Sequence, residues 1–319
     1  MSPSAAAPAK VGIVVAVDRG RHGVQLFRVG ADRHALPGTL LIPPHAADAA
    51  VDIALSAGAT PTTCVVWEDT QSDGYGGNSL RCYGWADAGG TTVGAAGAVS
   101  GVALRPDGAA IAWQQLLDES GDDEDVVTAP FDGRTTGARS TYPTHRSSGT
   151  GTVDTGCALD VTEVTWAGDR LLVECSGEND YPGGLQLEAE GLKGAASKVD
   201  DEQEPPYNYL TEVGTADASS GLALQGEYCE IRCDDGKEPE PRRAVRFSLS
   251  TGKVLEVIST PAKGRYLESV SGGPKGIAYV TNAGGNKPDW RVYVRLPGEK
   301  HGVLVTGLPT GVRGAVAQP

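Results

Sequence analysis

The stretch Val102-Ala-Leu-Arg-Pro-Asp-Gly-Ala-Ala-Ile-Ala-Trp113 carries the clearest structural signal in the chain. An apolar run ends at Arg105, Pro106-Asp107-Gly108 turns the backbone, and a second short apolar run starts near Ala110. Proline presets a turn φ, aspartate bonds its own backbone and glycine accepts φ > 0, so the stretch reads as a hairpin. Degenerate copies follow. Val161-Thr-Glu-Val-Thr-Trp-Ala-Gly-Asp-Arg-Leu-Leu-Val-Glu174 turns at Ala167-Gly168-Asp169, and Tyr266-Leu-Glu-Ser-Val-Ser-Gly-Gly-Pro-Lys-Gly-Ile-Ala-Tyr-Val280 is another. Trp113, Val173 and Tyr279 occupy similar places on the second strand, and Trp67 in Cys64-Val-Val-Trp-Glu68 fits there too.

Composition agrees with a chain built from such hairpins. Among 319 residues, 44 are Gly and 20 are Pro, a density that a long helical bundle does not tolerate. Apolar residues make up 39%, and no run approaches the ~20 apolar residues of a membrane-spanning helix. A net charge of −14 argues against a nucleic-acid backbone or an anionic membrane surface as the main partner. The expectation is an all-β protein. Arg outnumbers Lys by 18 to 9 and Ala is abundant, a composition in keeping with a GC-rich bacterial genome.

Strand, Pro-Asp-Gly, then a short apolar strand ending in an aromatic: this pattern resembles the TolB-like, WD40-type (PD40-type) β-propeller repeat. Residues 102–113 match it well, whereas the other copies lack the full Pro-Asp-Gly. The resemblance implies an architecture and says little about activity. Counting units of roughly 50 residues then gives a topology. Second strands begin near Val11, Thr63, Ala110, Leu171, Leu222 and Ile277. Third strands begin near Gly23, Leu80, Val126, Leu185, Ala244 and Arg291. The expected fold is a six-bladed β-propeller of four-stranded blades, with seven blades as the alternative. The first unit lacks an opening strand, and the tail Thr310–Pro319, beyond the fourth strand near Val303–Thr306, is placed to supply it. Such pairing closes the ring and removes exposed sheet edges. Residues 1–10, polar and rich in Ala and Pro, read as a flexible leader that follows a cleaved signal or anchor. Residues 11–319 form the single propeller domain.

The cysteines point to a compartment. Cys64 and Cys82 are 18 positions apart, as are Cys157 and Cys175, with Gly- and Asp-rich turns between the members of each pair. Both pairs are expected to be cross-strand disulfides. Cys229 and Cys233 form a third expected pair, one that needs a bulge or a turn because four extended residues span roughly 13 Å. Cys-x3-Cys without a second pair is a poor zinc site. Disulfides place the protein in a secreted or otherwise extracytoplasmic setting.

The candidate site lies in the long loops between second and third strands, which a propeller gathers on one face. These are residues 69–78, 118–125, 176–184, 234–241 and 282–290, rich in acids, amides and aromatics. Candidate ligand-binding residues are Asp69, Asp73, Tyr75, Asn78, Asp122, Asp123, Asn179, Asp180, Tyr181, Asn282, Asn286 and Trp290. Carboxylates and amides beside an aromatic read sugar hydroxyls and C–H faces, or a basic protein surface. The bland alternative is that they are solvated turns. No cofactor is expected; Asp122, Asp123 and Asp125 are weak calcium candidates, as are Asp200, Asp201 and Glu204, because no distal Glu completes an EF-type loop.

Assembled catalytic motifs are absent. There is no Gly-x-Ser-x-Gly elbow, no His-Glu-x-x-His helix, no phosphate-cradling loop and no sialidase-type Asp box. His22, His34, His45, His145 and His301 sit in polar or turn contexts, though Arg21 and His22 in the first loop remain conceivable at a central opening. Trp67, Trp85, Trp113 and Trp166 read as packing residues. Two functions stay open. One is a binding or scaffolding module for a protein or a glycan, as a monomer or within a larger complex. The other is a propeller enzyme, of lyase or glycoside hydrolase type, acting on a carbohydrate or small metabolite.

Overall fold

The computed structural model describes residues 13–36, 40–43, 49–57, 61–68, 78–85, 89–94, 98–117, 124–133, 136–143, 161–167, 170–176, 182–188, 207–215, 219–228, 243–248, 251, 253–273, 275–283, 289–310 and 314–318. The strands form six antiparallel sheets. In the first, β1 (Ile13–Asp18), β2 (Val24–Val29) and β3 (Leu40–Ile42) are joined by the chain's last strand, β23 (Gly314–Gln318). The second holds β4 (Ala49–Leu55), β5 (Thr62–Glu68), β6 (Ser79–Gly84) and β7 (Thr91–Val93). The third holds β8 (Ala98–Leu104), β9 (Ala110–Leu116), β10 (Glu124–Pro130) and β11 (Ser140–Pro143).

The fourth sheet is β12 (Val161–Ala167), β13 (Arg170–Ser176) and β14 (Pro182–Glu188). The fifth is β15 (Tyr207–Thr215), β16 (Ser220–Tyr228), β17 (Arg243–Ser248) and β18 (Val254–Ser259). The sixth is β19 (Tyr266–Gly273), β20 (Gly276–Asn282), β21 (Arg291–Arg295) and β22 (Val303–Leu304). Opening strands pack on their neighbours in turn: β4 on β8, β8 on β12, β12 on β15, β15 on β19, β19 on β23, and β23 on β4. The result is a β-propeller.

Ring closure takes the form anticipated. β23 runs antiparallel to β1, with Val14 opposite Gln318 and Asp18 opposite Gly314. The blade count is corrected. Five sheets are complete four-stranded blades, whereas the fourth has three strands among the described residues. Six complete blades, and the seven-bladed alternative, are not what the structure shows.

Middle strands are apolar because they are covered on both faces. β9, Ala-Ile-Ala-Trp-Gln-Gln-Leu, is buried along its whole length, and in β5 only Glu68 is exposed. Trp67 and Trp113 are fully buried and Trp166 nearly so, as packing residues should be. Trp85 is half-buried, with the Arg28 guanidinium 4.4 Å above its ring. At the Pro106-Asp107-Gly108 turn, Asp107 accepts from the Ala109 amide at 2.9 Å and Gly108 adopts φ +75°.

Cys64 and Cys82 stand directly opposite each other in β5 and β6 and form the expected disulfide. Cys175 lies in β13 opposite Val161 of β12. Cys175 thus stands on the second strand of its sheet, whereas Cys82, the corresponding member of the first pair, stands on a third. Cys157, Cys229 and Cys233 lie outside the described residues. No helix among the described residues is long and apolar enough to cross a membrane.

Candidate functional site

Among the described residues, loops between second and third strands are held where they leave the first, second, third and sixth sheets. β20 ends at Asn282 and β21 starts at Arg291, so the loop between them must close within a few ångströms of the sheet. Arg265, just ahead of β19, makes that closure. Its Nε donates to Thr281 Oγ1 at 3.1 Å and its Nη2 to the Thr281 carbonyl at 3.2 Å. The same guanidinium reaches Asp289, with Nη1 on Oδ2 at 2.9 Å and Nη2 on the backbone oxygen at 2.6 Å. Asn282 Oδ1 accepts the Asp289 amide at 3.1 Å, and Arg291 Nη2 lies 2.8 Å from Asp289 Oδ2. Arg265, with Arg291 adding to it, holds the Asp289 carboxyl below its ordinary value. A planar fork with five donors is suited to bridging two chain segments in this way.

Trp290 follows directly. It is half-buried against the apolar cluster of Val15, Val292 and Val294 between the sixth and first sheets. Its Nε1–H is buried with no acceptor among the described residues. In the second sheet, Asn78 precedes β6 and donates Nδ2 to the Val99 carbonyl of β8 at 3.1 Å, tethering the end of its loop to the next blade. Asp125, at the start of β10, is 6% exposed with Gln115 Nε2 3.5 Å from its Oδ2; Gln115 Oε1 in turn accepts Trp113 Nε1 at 3.2 Å. In the first sheet Asp18 Oδ1 accepts the Gly20 amide at 2.7 Å and Arg19 Nη1 donates to Gln25 at 3.1 Å. His22 is exposed there.

Asn78, Asn282, Trp290 and Asp125 therefore stand at loop necks, and the polar groups of Asn78, Asn282 and Asp125 face the scaffold. Asp69, Asp73, Tyr75, Asp122, Asp123, Asn179, Asp180, Tyr181 and Asn286 lie outside the described residues, as do Asp200, Asp201 and Glu204. Arg265 was not singled out by its sequence. The signal was there in Asp289-Trp-Arg291, a charged pair flanking an aromatic at a strand start, but its partner lies 24 residues away.

No family model matches the chain, and no curated protein matches it. Solved structures do. A chain from the crystal structure of a nidogen/laminin complex aligns over 96% of this chain and 98% of its own length, at 16% identity and a TM-score of 0.55. TolB from Agrobacterium tumefaciens aligns over 93% of this chain and 89% of its own, at 13% identity and a TM-score of 0.52. At such identities the likeness is one of fold.

Proposed function

We propose that this chain is a non-enzymatic recognition module that engages a protein partner through the face bearing its second-to-third-strand loops. The observation that carries this reading is the clamped neck of the β20–β21 loop. Arg265, Asn282 and Asp289 tie its two ends to the blade, the arrangement that lets a loop present variable residues from a rigid base. The loops carry Asp69, Asp73, Asp122, Asp123 and Asp180 beside Tyr75 and Tyr181, so the partner surface is basic. One structural relative was solved within a protein–protein complex, which supports the same reading. We place the module in an extracytoplasmic compartment on the strength of the Cys64–Cys82 disulfide, with residues 11–319 as one domain.

The test combines D73N, Y75A and Y181A with W290F; phenylalanine keeps the apolar packing of Trp290. Partner capture should fall while the unfolding midpoint stays near wild type, and capture by the unmodified protein should weaken with rising salt. Salt-independent capture would favour a glycan held by stacking and hydrogen bonds. Unchanged capture by the quadruple variant places the site elsewhere, and substrate turnover by the purified protein replaces this reading with the enzymatic one.

A further inference from the structure

The Cys64–Cys82 bond is buried by a sheet other than its own. Side chains alternate along β5 and β6, so Val65, Trp67 and Tyr83 pack toward the first sheet. Cys64 and Cys82 point the other way, toward the third, and are 0% and 1% exposed. Their own sheet sets Ala54 and Val93 in the same cluster. The rest of the cover comes from the third sheet, from Val99, Val102 and Leu104 of β8 with Ile111 and Trp113 of β9. A chain that stopped at β7 would leave the pair facing water.

Polar contacts fasten that cover. Asp52 Oδ2 accepts the Val102 amide at 2.8 Å, and Asn78 Nδ2 donates to the Val99 carbonyl at 3.1 Å, so β8 is tied to the second sheet at two points. On its far side β8 packs on β12 of the fourth sheet, so the ring holds the cover from behind. Thiol–disulfide exchange requires a thiolate to attack one of the two sulfurs. Residues with no exposed surface offer it no line of approach.

We propose that docking of the third sheet is a redox checkpoint: Cys64 and Cys82 are oxidised before it docks, and afterwards their redox state is sealed. Chain order favours this sequence of events. The second sheet is complete at Val93, ahead of β8 and β9, and its cysteines are a local pair 18 residues apart. Closing so short a loop is fast beside the docking of one sheet on another. The oxidant is a small disulfide such as glutathione disulfide. One cysteine thiolate attacks it and releases a first glutathione; the other then attacks the mixed disulfide and releases the second. Two electrons pass to the oxidant, and the two thiol protons end on the two glutathiones. A chain that folds reduced keeps two thiols that no oxidant reaches, and a chain that folds oxidised keeps its bond in a reducing medium. No loop-tip residue takes part, so the checkpoint stands or falls independently of the recognition role.

The experiment follows the Cys64 and Cys82 peptides of the full chain by alkylation and mass spectrometry, which separates this pair from the other cysteines. Reduced, denatured chain is diluted into native buffer, with glutathione disulfide present from the start or added once folding is complete. Early addition should form the bond during folding. Late addition should slow its formation at least about a hundredfold, because only the rare unfolded molecules react. Should the reduced chain fail to fold, the native oxidised protein in dithiothreitol decides. Loss of the bond should level off, as dithiothreitol increases, at the global unfolding rate read by circular dichroism, and W113A should raise both rates by the same factor. Late oxidation as fast as in the unfolded chain, reduction faster than global unfolding, or a W113A effect on reduction larger than on unfolding would each overturn the proposal.

Discussion

The seam between the second and third sheets and the seam between the fifth and sixth solve the same packing problem differently. At the first, Cys64, Val66, Leu80, Val102, Ile111 and Trp113 interdigitate in one buried cluster, and the disulfide lies within it. Its carboxylate Asp52 is engaged on both oxygens: it accepts the Val102 amide across the seam at 2.8 Å and the Ile53 amide at 2.7 Å. At the second seam, Leu222, Leu224, Leu267 and Ile277 form the apolar part, and beyond them the sheets are joined by Arg295 and Glu256 around an open cleft. β23, paired with β1, closes the ring at the first sheet. Where apolar packing gives out between blades, polar residues are left facing space.

The contrast is broken most severely at the tight seam. Trp113 is fully buried, so W113A should cost about 3–5 kcal/mol in urea unfolding, the range for truncating a buried aromatic. Next comes the disulfide. The C64A/C82A variant should lose roughly 3 kcal/mol, the chain-entropy value for a closed loop of ~19 residues. Thiol titration of the unfolded, unreduced protein tests the remaining pairs, with almost no free thiol expected; four or more reactive thiols would refute them. At the loose seam, E256Q deprives the Arg295 guanidinium of its bidentate partner. Because Glu256 is 41% exposed, solvent screens the change, and a loss of about 1–2 kcal/mol is expected from thermal melts. A loss at E256Q as large as that at W113A would show that the second seam is not loose.

Middle strands were readable in the sequence because both faces of each are covered, which makes them continuous apolar runs. The expected starts at Thr63, Ala110 and Ile277 fall within a residue of β5, β9 and β20. Outer strands carry no such mark. β3 and β7 have three residues and β22 two, with Leu41, Val303 and Leu304 exposed, so an outer strand leaves little pattern from which blades can be counted. The site was legible only as composition. Acidic loops announce themselves, but the long-range ion pairs do not: Arg265 meets Asp289 across the β19–β20 hairpin, and Arg295 meets Glu256 from another blade 39 residues away. Such pairs are set by ring geometry, which no local spacing encodes.

The smallest expected effect separates the seams by pH. Glu256 has its carboxyl held down by Arg295, so the stability it contributes is present above the ordinary glutamate value and is lost as pH falls through its folded value. Asp52 behaves in the opposite sense. Desolvation between β4 and β8 raises its carboxyl above the ordinary 3.8, outweighing the two backbone N–H groups that favour the anion. A raised carboxyl favours the protonated form in the folded state. Its contribution is therefore fully present below the unfolded value near 3.8 and declines as pH rises through the folded one. D52N is permanently neutral, with a constant penalty because an amide cannot accept both N–H groups. Relative to wild type, its deficit should shrink as pH rises from 3 to 7, whereas the deficit of E256Q should grow, by roughly a few tenths of a kcal/mol to ~1 kcal/mol in each case. Urea unfolding at four pH values reads both slopes. Parallel slopes would mean that Asp52 is no less solvated than Glu256, and the distinction between a dry seam and an open one would fail at its most sensitive point.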